Sequence, residues 1–126
     1  MTPSKEEWWS QAEYDFGTAQ AMLASGRTVY AVFMCHLAVE KGLKALVVKK
    51  TLQFPPRTHN LLHLLKIAGK KPEPGLGAFI VELNETHTVT RYPEELKKLI
   101  ATYSAPLTRK ILDSTQEDLS WIKQAL

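Results

Sequence analysis

The stretch from Thr28 to Leu52 constrains this chain more than any other, because its apolar residues fall almost all round a helical wheel. A helix of that kind is packed on most sides, so it predicts the central element of a helical bundle, stopped by Pro55 and Pro56. Across it runs a polar stripe, His36, Glu40 and Lys44, spaced four apart and therefore on one face. That edge of a buried helix must meet water, a partner subunit or a ligand. An i, i+4 pair between Glu40 and Lys44 is its simplest account.

The flanking segments read as further helices. Ser4 and Glu7 form a candidate capping box ahead of Trp9, Ala12, Phe16, Ala19 and Leu23, with Lys5, Glu6, Gln11 and Asp15 on the polar side and an end near Ser25-Gly26. Asn60 to Ala68 predicts a short helix closed by Gly69. Leu76, Phe79, Ile80, Leu83 and His87 are in phase in a fourth, interrupted at Arg91-Tyr92-Pro93, since proline biases the residue before it away from helical angles. A last amphipathic helix over 104–125 presents Ile111, Leu112, Thr115, Leu119, Ile122 and Leu126. No period-two run competes, so the fold class is an all-α bundle of four long helices and an additional short one. At 126 residues and 44% hydrophobic, the expectation is one helical domain over 1–126 that folds without disulfide or metal. The lone Cys35 lies in the apolar run and reads as a buried thiol. The polar, acidic N-terminus and the lack of a membrane-length apolar run lead us to expect a cytoplasmic protein with no membrane association.

Charge is segregated along the chain. Residues 1–26 carry −3, residues 27–71 carry +8 with Glu40 as the sole acid, and residues 72–126 carry −2. A basic middle suits phosphate, RNA or an acidic partner, or simply a solvated face.

Several chemistries are excluded. His59 and His63 have the spacing for a shared metal, but Asn60 stands where a zinc protease needs its glutamate, and no Glu-x-x-His pair serves a di-iron bundle. Gly75 and Gly77 lack the Lys-Ser or Lys-Thr ending of a phosphate loop. The serines have no histidine and acid context for nucleophilic catalysis. We therefore expect no metal and no cofactor. Cationic and imidazole groups remain: Arg57, His59, His63, Arg91, Lys41 and Lys44, with Tyr92 as a stacking surface. A histidine that moves a 2′-hydroxyl proton and an arginine that stabilises the charged phosphorane could cleave RNA without metal.

Four motifs in order now carry a resemblance: Ala12, Asp15, Phe16 and Ala19; His36-Leu-Ala-Val-Glu40-Lys41-Gly-Leu-Lys44-Ala45-Leu46; Thr58-His59-Asn60-Leu61; and Arg91-Tyr92-Pro93. Together they resemble the HEPN (higher eukaryotes and prokaryotes nucleotide-binding) domain over nearly the whole chain. The resemblance implies an up-and-down bundle, usually a homodimer, commonly encoded beside a minimal nucleotidyltransferase and often part of a toxin–antitoxin pair. Active ribonucleases of the family use an Arg followed after four to six residues by a His. Arg57 and His63 meet that spacing, although Thr58 replaces the usual small polar residue behind the Arg. Members with the Arg-Tyr-Pro element look more like nucleotide-binding or protein-binding versions. The leading expectation is thus nucleotide or RNA phosphate bound in a basic groove by Lys41, Lys44, His59, Arg91 and Tyr92, with His36 and Glu40 as a structural stripe. The alternatives are a metal-independent endoribonuclease toxin using Arg57 and His63, and a non-catalytic dimerisation or adaptor module.

Overall fold

The computed structural model describes residues 3–91 and 96–126, with residues 88–91 as backbone alone. Among the described residues six helices follow one another: α1 (Lys5–Ala24), α2 (Thr28–Thr51), α3 (Leu61–Ala68), α4 (Pro74–Arg91), α5 (Leu96–Thr102) and α6 (Ala105–Ala125). Four long helices and the short α3 are as expected from the periodicity. The seven-residue α5 is an addition: Leu96, Leu99 and Ile100 share a helical face, although none of its residues is fully buried.

Helix ends follow local chemistry. Ser4 Oγ accepts from the Glu7 N–H at 3.1 Å and caps α1, whose first turn carries Glu6 and Glu7 toward the positive end of the helix dipole. The chain reverses at Gly26, at φ 82°, where the Arg27 N–H donates back to the Met22 carbonyl at 2.8 Å. Asn60 caps α3 by accepting from the N–H groups of Leu62 and His63, and Ser104 caps α6.

The α2 helix contacts all five others, as its all-round apolar character requires. It runs antiparallel to α1 through the short turn and parallel to α6: Lys49 Nζ donates to the Ala125 carbonyl at 2.7 Å near the C-terminal ends of both. Midway, Gly42 brings α2 and α6 close. A Cβ there would stand 3.2 Å from Ile122 Cδ1 and 3.5 Å from Leu119 Cδ2. The core is built of Leu43, Leu61, Leu64, Ile80, Leu83 and Ile122, all at most 1% exposed, with Cys35 buried among them. Tyr103, Val29 and Val32 form a second apolar cluster where the chain enters α6.

One sequence expectation is corrected. Asp15 is not on a solvated face: it is buried between α1 and α2, where Lys41 Nζ lies 2.8 Å from its Oδ2. Its helical phase adjoins Ala12 and Ala19, whose small side chains let α2 approach closely enough for Lys41 to reach it.

Candidate functional site

The polar stripe of α2 lies inside the protein. His36 is 1% exposed, Glu40 3% and Lys44 8%. Burial of that kind demands partners, since an uncompensated internal charge costs several kcal/mol. Glu40 has them. Its Oε2 lies 3.0 Å from Lys44 Nζ, and its Oε1 lies 2.8 Å from His59 Nδ1, supplied by the loop ahead of α3. A carboxylate only accepts, so Nδ1 of His59 carries the shared hydrogen. His36 Nδ1 stands 3.9 Å from the same Oε1, beyond hydrogen-bond length.

α4 closes the cluster. His87 stacks on His59, with ring centroids 4.5 Å apart and planes 21° off parallel. It also meets His36 at 5.0 Å with a 43° tilt. Trp8 of α1 offers its ring 5.5 Å from Lys44 Nζ, a cation–π contact. Three imidazoles, one carboxylate and one ammonium are thus brought together by α1, α2, α4 and the α2–α3 loop. Among the described residues no three His, Cys, Asp or Glu side chains are arranged to hold a metal ion.

The loop is held so that His59 stays on Glu40. Asn84 Oδ1 of α4 accepts from the Leu61 N–H at 2.7 Å, and Thr58 Oγ1 accepts from the Asn60 N–H at 3.1 Å.

Electrostatically the cluster is graded from inside to outside. Burial pushes the His36 imidazole down to about 4, against the pull of Glu40 and with help from His87 and His59, so it is neutral at pH 7. Glu40 is balanced by Lys44. His59, with 46% of its side chain exposed, is where the cluster reaches the surface.

The other sequence candidates divide. Lys41 and Lys44 face carboxylates, Asp15 and Glu40, rather than open solvent. Arg57 is exposed on the loop, and His63 is exposed on the outer face of α3, opposite the buried Leu61 and Leu64. Arg91 is the last residue of α4, four positions after His87. Its side chain, Tyr92 and Pro93 lie outside the described residues. Sequence reasoning counted His87 as a core-phase residue of α4; its place four residues before Arg91 was the signal for a functional reading. Trp8 was not singled out at all, because only the α1–α2 packing brings it over Lys44.

An up-and-down helical bundle with a buried carboxylate–imidazole cluster at the α2–α3 loop defines a class, and comparisons with known proteins identify it. The HEPN domain model matches residues 5–124, so this chain belongs to the HEPN domain family. It is similar over 97% of its length, at 25% identity and a TM-score of 0.81, to TT1696 from Thermus thermophilus, of which 98% is covered. A second structure, ST0689, an archaeal HEPN homologue, shares the fold at 23% identity and a TM-score of 0.78, with 99% of this chain and 100% of that one covered. A search of curated proteins returned no match. Among the described residues no helix is long and apolar enough to cross a membrane.

Proposed function

We propose that this HEPN protein binds the phosphate of a nucleotide or RNA where His59 emerges from the Glu40 cluster. The observation that carries this reading is the 2.8 Å contact between Glu40 and His59, in a carboxylate already balanced by Lys44. That arrangement orients the imidazole at the surface beside a carboxylate that Lys44 already offsets, so that a protonated ring can donate to an anion. Arg91 and Tyr92 supply a bidentate cation and a stacking face in the same proposal, following His87 along the chain. Lys41 and Lys44 act in it by neutralising Asp15 and Glu40, keeping the groove free of net negative charge.

Family membership supports the wider setting of the proposal: a cytoplasmic homodimer acting with a minimal nucleotidyltransferase in a toxin–antitoxin-like pair. Calorimetry with ATP, GTP and a short RNA tests the binding step. Micromolar to millimolar affinity, lost in His59→Ala and Arg91→Ala, is expected. No heat at millimolar ligand removes the proposal.

A second reading, RNA cleavage by Arg57 and His63, is favoured by the exposure of both side chains on the loop and helix that carry His59. Growth arrest on induced expression that disappears in His63→Ala supports it. Arrest that persists unchanged in that variant eliminates His63.

A further inference from the structure

Between Lys49 and Lys71 the chain carries six lysines and arginines and no acid. All six are exposed, and among the described residues none forms an ion pair. The structure arranges much of this charge along one line. α3 buries Leu61, Leu64 and Ala68, which turns His63 and Lys66 outward as neighbours three residues apart. His59, anchored on Glu40, stands before the helix. Lys70 follows it and joins Lys49 and Lys50 around a hollow of about 260 Å³ beside Gly69. Gly69 has φ 69°, and a Cβ on it would meet Lys50 Nζ at 3.6 Å, so this ammonium lies against bare backbone.

Lysines in the last turns of α2 and α3 complement helix dipoles, and Lys49 does so by bonding the Ala125 carbonyl. Dipoles do not consume the charge. Each helix end contributes only about half a negative charge, against three lysines at the hollow. Lys70 lies beyond the end of its helix, and no acidic side chain lines the hollow.

We infer that the outer face of α3, from His59 through His63 and Lys66 to the hollow of Lys50 and Lys70, is a binding track for a single-stranded nucleic acid. The inference rests on the phosphate reading of His59 and extends it from one phosphate to a strand. The ten residues from Glu40 to Lys50 span about 15 Å along α2. A track of that length presents cations to successive phosphates of a strand, whereas a mononucleotide carries its phosphates at one end only. Phe54, 51% exposed on the loop between α2 and α3, offers a ring on which a base can stack.

The test is binding of an eight-nucleotide oligouridylate, ATP and polyglutamate to the intact protein across a salt series. Wild type is expected to hold the oligonucleotide at least tenfold more tightly than either other ligand. Lys66→Ala with Lys70→Ala should weaken it at least tenfold and flatten the slope of log K against log salt by about 1.4, two contacts at about 0.7 each. An unchanged melting temperature verifies that these surface variants remain folded. Equal affinity for ATP overturns the strand, equal affinity for polyglutamate overturns the nucleic-acid class, and an unaltered salt slope overturns the lysines. His59→Ala separates the two proposals. Loss of binding in His59→Ala but not in the lysine variant overturns the track and leaves the single-phosphate site. Loss in the lysine variant alone supports the track and removes His59 as a phosphate ligand.

Discussion

Of the carboxylates buried among the described residues, Glu40 and Asp118 stand on neighbouring helices and are treated in opposite ways. Glu40 on α2, 3% exposed, has Lys44 on one oxygen and His59 on the other. Asp118 on α6 is fully buried, and among the described residues neither of its oxygens has a hydrogen-bond partner. Burial, with a smaller contribution from the negative charge of Glu117, pushes the Asp118 carboxyl up to about 8, so it sits in the core largely as a neutral acid at pH 7. A partnered internal charge needs a set of surrounding side chains to hold it; a neutralised one needs only a proton. The protein has assembled the set at Glu40, where the cluster opens to solvent, and not at Asp118.

The largest effect that can break this comparison is Glu40→Ala. It leaves Lys44 buried without its carboxylate, and we expect a loss of about 3–5 kcal/mol in urea unfolding. A loss under about 1 kcal/mol would mean that Glu40 is not the organising charge. Asp118→Leu should act in the other direction, adding on the order of 1–3 kcal/mol at pH 8 by removing a buried group without partners. Destabilisation there would point to a partner for Asp118 under working conditions.

The pH dependence sharpens the contrast. The folded-state pKa of Asp118, about 8 against an ordinary 3.8, means that the folded protein binds the extra proton between those values. Its contribution is present below pH 4 and is lost as pH rises through 8. His36, lowered from 6.5 to about 4, has the reverse sign: its stabilisation is present above pH 6.5 and is lost as pH falls through 4. Stability should therefore fall between about pH 6.5 and 8 in wild type and not in Asp118→Leu, whereas between pH 4 and 6.5 the two contributions offset each other in wild type and the His36 loss stands alone in Asp118→Leu. A smaller effect is expected at the Lys41–Asp15 pair, where Lys41 is partly exposed but Asp15 is buried, so Lys41→Met should cost on the order of 1–3 kcal/mol by leaving that carboxylate without its partner.

Much of the architecture was legible in the sequence because helix boundaries are local. Ser4, Gly26, Asn60, Gly69 and Ser104 each act within a few residues, and the all-round apolar character of α2 announced a central helix. The stripe of His36, Glu40 and Lys44 was legible too, since i, i+4 spacing fixes a shared face. What joins that stripe was not. His59 is nineteen residues from Glu40, and His87 arrives from another helix, so their convergence is a property of packing. Asp15 misled for the related reason that a carboxylate reads as solvent-facing until a lysine on the next helix reaches it. Arg57 and His63, matched to each other by spacing alone, both lie at the surface, outside the buried cluster.

The central claim, that Glu40 holds His59 at the surface for a phosphate, is tested most directly by long-range imidazole ¹H–¹⁵N spectra of the wild-type protein titrated with ATP. The account predicts that the His59 nitrogen resonances move toward the protonated form as ligand is added, while those of buried His36 stay at neutral-ring positions. Binding that leaves the His59 resonances unmoved would contradict it.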